Sequence, residues 1–248
     1  MEARESMDRQ AGGDDALTTR IGAVALPLAI IVIAISEIFH PAREDPMDNP
    51  AVFREYASSD LWTTVHLGEY FGFLLLLGGL VGLYYSVSAG SETGAGLAPF
   101  ALAVTTAASF TVLQAVDGIA LKRAVDAWVS APDAQKAPAF AAAEAIRWIE
   151  IGMNGLSYLL AGLTLFLYGM AIALGSVYPR WVVLIAAVSG AALMYNGVVI
   201  VAYQGFVPST IKQVGLLLLA VWAFVMAALM WRKGRRRRVA RLASSTPR

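Results

Sequence analysis

Apolar residues gather into six long runs, at positions 21–39, 62–87, 97–120, 149–174, 181–202 and 214–231, separated by polar connections. Each run is close to the roughly 20 residues that a helix, rising 1.5 Å per residue, needs to cross a hydrocarbon core of about 30 Å. The pattern predicts an all-α polytopic membrane bundle of six transmembrane helices. Residues 1–20 read as a disordered tail, 21–231 as the membrane domain and 232–248 as a basic tail. The connections are unequal. "SVSAGSETGAG" and "GSVYPR" are short Gly/Ser/Pro turns, whereas 41–60 and 121–148 are long enough to carry short helices of their own, expected at 50–58 and 121–130. Asn49 followed by Pro50 reads as an N-cap with proline at the first helical position.

Polar side chains interrupt the runs at one level only. Glu37 and His40 end the first run, His66 and Glu69 enter the second, and Gln114 and Asp117 lie near the end of the third. The fourth is entered through "EAIRWIEIGMNG", with Glu144 at the mouth and Arg147, Glu150 and Asn154 successively deeper. Asn196 and Tyr203 occupy the same half of the fifth. At about 100° per residue, Arg147, Glu150, Asn154 and Ser157 share one helix face, and Ser189, Asn196 and Tyr203 share another. Polar groups inside membrane spans face a bundle interior or a water-filled cavity. A single pocket at one end of the bundle is therefore expected.

Composition agrees with the pattern: 58% of the 248 residues are hydrophobic and 15% charged, far from the balance of a soluble domain. The net charge of +1 gives no reason to invoke nucleic acid. No cysteine is present, which excludes disulfides, thiolate nucleophiles and cysteine metal sites. Charge placement adds orientation. Eight of the nineteen Lys and Arg residues lie in the tail 232–248, and Arg180 lies in the turn on the same side, while the connection 41–60 holds five acids against two arginines. Basic residues collect on the cytoplasmic side, so both termini are expected in the cytoplasm and the polar level on the outer half of the plasma membrane. The basic tail is suited to anionic lipid headgroups. Lys122 and Arg123 are exceptions to the rule. Trp62, Trp128, Trp148, Trp181 and Trp231 fall near span ends, as an aromatic belt does.

The chemistry offered is that of imidazole and carboxylate. His66 and Glu69, one helical turn apart, can share a divalent ion, with His40 and Asp117 completing an N/O ligand set and Glu37 and Glu150 as further acids. Glu69 and Glu150 are also candidate acid–base groups, because buried carboxylates in unequal environments separate into acid and base. Gln114, Glu144, Arg147, Asn154 and Asn196 would line the pocket. The competing account is structural: His66 donates to a nearby acid and pins two helices, and Arg147 pairs with Glu150. Three functions follow, a metal-dependent membrane hydrolase or metal-binding protein, a cation, proton or solute transporter or sensor, and a scaffold with a polar cluster. Glycines at packing intervals, Gly68 to Gly72, Gly78 to Gly82, and Gly155, Gly162 and Gly169, point to close helix contacts.

The stretch "LTLFLYGMAIALGSVYPRWVVLIAAVSG", with the turn Tyr178, Pro179, Arg180 and Trp181, resembles a group of small six-span bacterial integral membrane proteins classed only as a domain of unknown function. The resemblance implies the six-span fold and a bacterial membrane, and it brings no activity. The His/Glu/Asp set comes from this sequence alone.

Overall fold

The computed structural model of the chain describes residues 2–88, 96–203, 205–206 and 209–244, with side-chain surroundings within 15–235. The described residues fold into helices with no strand: α1 (Glu2–Phe39), α2 (Asn49–Ser58), α3 (Trp62–Ser88), α4 (Leu97–Ala115), α5 (Lys122–Ser130), α6 (Asp133–Leu174), α7 (Trp181–Tyr203) and α8 (Thr210–Ser244). A π-turn, Val116–Leu121, joins α4 to α5 without a break. Six stretches are long and apolar enough to cross a membrane, as the hydrophobic pattern predicts.

Several boundaries differ from those predicted. The helix of the third span continues through the π-turn to Ser130, so the short helix expected at 121–130 is its extension. The fourth begins at Asp133, because the alanine-rich stretch before Arg147 forms helix beyond its apolar part. Helical backbone also continues back to Glu2 and on to Ser244, where the arginines that follow Gly234 are good helix formers. The cap of α2 is Asp48, whose Oδ1 accepts the amide of Ala51 at 3.1 Å, with Asn49 already helical. Most of the turn at 86–96 lies outside the described residues.

Two seams hold the bundle together. Along α1 and α3, a β-carbon added at Gly82 would lie 2.6 Å from the Cα of Gly22, and one at Gly72 2.5 Å from Ile33. The seam runs through Gly79 rather than Gly78, which meets only the β-carbon of Ala25 at 3.9 Å. Along α6 and α7, Gly155, Gly162 and Gly169 face Gly197, Gly190 and Ala186. Apolar lipid provides no hydrophobic drive for helix association, so close backbone packing has to supply it. Gly162→Ala would push a methyl group against the Gly190 carbonyl and the amide of Met194. A loss of about 1 to 3 kcal/mol is expected, to be read as earlier thermal unfolding in detergent.

The two ends of the bundle differ. At the end where α1 enters and α8 leaves, the Arg20 guanidinium stacks 4.6 Å from the Trp231 ring. Below it Leu26, Leu83, Tyr168, Trp222, Met226 and Met230 form a closed apolar core. At the other end α2 packs against α5, the extension of α4, around a second cluster, with Phe53, Trp62, Leu121 and Val125 fully buried. Lys122 ties α5 to the Ala57 carbonyl of α2 at 3.1 Å, and Lys136 caps α5 through the carbonyls of Trp128 and Val129. α2 roofs the polar level with Val52, Glu55 and Tyr56.

Candidate functional site

Under that roof is a cavity of about 370 Å³ lined by α1, α3, α4, the π-turn, α6, α7 and α8. Of the expected pocket residues, Glu37, His40, Glu69, Gln114, Asp117, Arg147, Glu150, Asn154 and Asn196 line it. The carboxylates of Glu69, Asp117 and Glu150 therefore share one space. His66 stands behind the wall, where it also meets a separate groove between α3 and α4. Glu144 is not in the lining; its Oε1 accepts the Asn49 amide at 3.0 Å and fastens α2 to α6. Tyr203, expected on the line of Ser189 and Asn196, is 73% exposed and faces away. Ser189 instead donates to the Gly215 carbonyl at 2.7 Å.

The histidines meet the π-turn. A π-turn widens the helix by about one residue and leaves carbonyls short of their usual partners. Two of them are taken up by α3: Trp62 Nε1 donates to the Asp117 carbonyl at 3.1 Å, and Thr63 Oγ1 to that of Gly118 at 3.4 Å. Gly118 lets the helices close, since a β-carbon there would lie 2.5 Å from His66 Cβ. The result places Asp117 Oδ2 3.2 Å from His66 Nε2. Tyr56, Trp62, His66 and His40 form a continuous chain of tilted rings, with centroids 3.9 Å apart for Tyr56 and Trp62, 4.4 Å for Trp62 and His66, and 5.2 Å for the two imidazoles.

Each imidazole has one nitrogen committed to the backbone. His66 Nδ1 lies 2.8 Å from the Trp62 carbonyl and His40 Nδ1 2.9 Å from the Pro41 carbonyl. A carbonyl can only accept, so both Nδ1 atoms carry the proton, and each neutral ring then presents a lone pair at Nε2. One ligand atom from each of His40, His66 and Asp117 lies within 4.8 Å of the others. The 3.2 Å between His66 Nε2 and Asp117 Oδ2 is the spacing of two donors each about 2.1 Å from a common ion. Neither His66 Nε2 nor Asp117 Oδ1 makes a well-angled hydrogen bond within the protein. Burial lowers the His40 pKa, reinforced by the neighbouring His66 and opposed by Asp117 and Glu37, so the ring favours its neutral, ligating form.

A second set surrounds Arg147. Its guanidinium donates to Glu150 Oε2 at 2.6 Å, to the Tyr56 hydroxyl at 3.3 Å and to the Pro46 carbonyl at 3.2 Å, and lies 4.8 Å from the Phe206 ring. Arg147 and Glu150 are 1% and 2% exposed. The pairing predicted as the structural alternative is thus present, and it also anchors the α1–α2 connection. Burial raises the Tyr56 pKa, with Arg147 opposing, and keeps the phenol protonated. Glu69 is held differently, its Oε2 accepting the Gln114 amide at 2.9 Å. Asn154 Oδ1, Asn196 Nδ2 and Gln114 Oε1 have no protein partner.

Lys212 was the cavity residue hardest to see from hydropathy. It precedes the apolar run of α8, yet it lines the cavity 5.3 Å from the Tyr158 ring. The available signal was Ser209, whose Oγ accepts the Lys212 amide at 3.1 Å and caps α8. A serine just ahead of an apolar run reads as a helix N-cap, which brings Lys212 inside the first turn of the span.

Neither protein-family models, nor curated proteins, nor solved structures give a match to this chain. The functional reading accordingly stands on this geometry.

Proposed function

We propose that the protein is a multi-pass plasma-membrane protein that binds a divalent metal ion through His40, His66 and Asp117 and uses it for hydrolysis in an extracytoplasmic cavity. The observation that carries this reading is the pair of imidazoles, each with Nδ1 bonded to a backbone carbonyl, that bring one ligand atom apiece within 4.8 Å of one carboxylate oxygen, with His66 Nε2 3.2 Å from Asp117 Oδ2. Such an outer hydrogen bond fixes the tautomer and orientation of a metal-binding histidine. Two nitrogens and one oxygen suit zinc or a similar borderline divalent ion. Three protein ligands leave a position for water, as catalytic centres do and closed structural centres do not.

A bound divalent ion lowers the pKa of its water. Glu69 lines the same cavity and has one carboxylate oxygen free of the Gln114 contact, which suits it to accept a proton. Glu150 is committed to Arg147, so its part is to place that cation. Through-transport is a weaker reading, because the apolar core around Leu83, Tyr168 and Trp222 closes the other end of the bundle. The sidedness rests on the basic tail 232–248, which in this orientation meets the anionic inner leaflet. The resemblance to bacterial membrane proteins of unknown function agrees with the placement.

Elemental analysis of purified protein tests the reading. One metal ion per chain is expected in the wild type and in Glu69→Gln, and its loss in His40→Ala and Asp117→Asn. A wild type free of metal, with variants that only melt earlier, would leave His66 and Asp117 as a structural contact.

A further inference from the structure

On the far side of His66 from the cavity, a groove of about 190 Å³ runs between α3 and the α4–π-turn segment, lined by Thr63, His66, Leu67, Tyr70, Thr111 and Gln114 with Ala115, Gly118 and Ile119. It belongs to the lipid-facing flank: Leu67 and Ile119 on its rim are 47% and 52% exposed. Its threonine hydroxyls are turned onto backbone, Thr63 to the Gly118 carbonyl and Thr111 to the Ala107 carbonyl at 2.9 Å. The walls are therefore mainly hydrocarbon. At its floor Gly118 lets the π-turn close onto α3, leaving His66 only 2% exposed.

Gln114 is common to groove and cavity. It is 8% exposed, its Nε2 is held by Glu69, and its Oε1 has no protein partner. A buried amide oxygen in that position calls for a hydrogen-bond donor. The exposed Trp148 beside Arg147 marks the interface at this end, so the groove begins where the heads of lipids give way to their chains.

We propose that this groove binds the acyl chain of a membrane lipid whose head carries a hydroxyl or ammonium donor, with that donor placed at Gln114 beside the proposed metal centre. The chain comes from the bilayer itself, since the groove is continuous with the surface the spans present to lipid. Gln114 selects for a donor-bearing head, because a head with acceptors alone leaves Oε1 unsatisfied. The inference adds a ligand class to the hydrolytic reading, and the groove stands on its own geometry if the metal reading fails.

The test uses the full chain in nanodiscs containing a diacylglycerol with a photoactivatable diazirine in its acyl chain, with adducts mapped by mass spectrometry after irradiation. Labelling is expected to concentrate on Leu67, Tyr70 and Ile119 relative to the more exposed Leu184 and the similarly exposed Val188 of α7. Unlabelled diacylglycerol should compete it away. Ala115→Trp, which fills the groove without altering a proposed metal ligand, should abolish the enrichment and leave α7 labelling and metal content as in the wild type. Ile119→Trp serves the same purpose from the rim should Ala115→Trp fail to fold. Uniform labelling along the flank, or enrichment that survives both substitutions, overturns the proposal. Equal enrichment with a phosphatidylcholine probe, whose head has no donor, overturns the role given to Gln114. Metal content is read on the same samples: enriched labelling without metal removes the centre and keeps the groove, and metal with uniform labelling does the reverse.

Discussion

Arg147→Ala is expected to destabilise the protein by about 3 to 5 kcal/mol, the usual consequence of leaving a buried charge without its partner. Glu150, 2% exposed, would lose its only ion-pair partner among the described residues. The Tyr56 hydroxyl and the Pro46 carbonyl would lose a donor at the same stroke, which unfastens the α1–α2 connection from α6. Exchanging both members for apolar residues, Arg147→Met with Glu150→Leu, removes the unpaired charge and should recover much of the loss. Thermal unfolding of the three proteins in one detergent decides this. A single variant that unfolds no earlier than the wild type would show that the pair does not hold the roof in place.

The second large effect is expected at Gly118. An alanine methyl would sit 2.5 Å from His66 Cβ and 2.9 Å from its Cγ; because Cβ is fixed to the backbone, α3 has to shift away from the π-turn, against the bonds from Trp62 and Thr63, and carry the imidazole with it. If His66 is the metal ligand proposed, displacing its support should cost the 10- to 100-fold in metal affinity typical of such changes, and about that loss is expected for Gly118→Ala. Chelator competition measures it, with circular dichroism to confirm that helix content is kept. Gly152→Ala is the matched control, since nothing lies within 4 Å of a β-carbon there. Equal affinity in the two variants would detach Gly118 from the centre.

The polar residues of the cavity were largely legible because the membrane makes them so. An ionisable group in an apolar run is costly wherever it faces lipid, so Glu69, Asp117, Arg147 and Glu150 had to face inward, and their shared level followed from the rise of the helix. The pairing of Arg147 with Glu150 was legible from their i,i+3 spacing. His66 with Glu69 has the same spacing, but the nearest side-chain contacts lie on another helix: His66 meets Asp117, and Glu69 accepts from Gln114. Which neighbouring helix supplies a partner is not written in a spacing along one helix. Gly79 replaced Gly78 in the α1–α3 seam for a similar reason, since a shift of one residue turns the contact by about 100° and only the partner helix selects between them.

Sequence by itself determined the number of spanning helices, the single polar level and the absence of any cysteine chemistry, because each depends on composition and on local periods of 3.6 residues. Tertiary structure decided the rest. The π-turn at Val116–Leu121 has no compositional signature, and it is fixed by side chains of α3 that take up its carbonyls. The approach of His40 to His66 depends on where the chain turns after α1 and on the tilted ring contacts with Trp62 and Tyr56. The place of Lys212 depends on how α8 packs beside α7 and α1. A local period fixes which face of a helix avoids lipid; which residues then meet across the bundle depends on the relative rotation and height of helices far apart in sequence, and close packing sets those for all of them together.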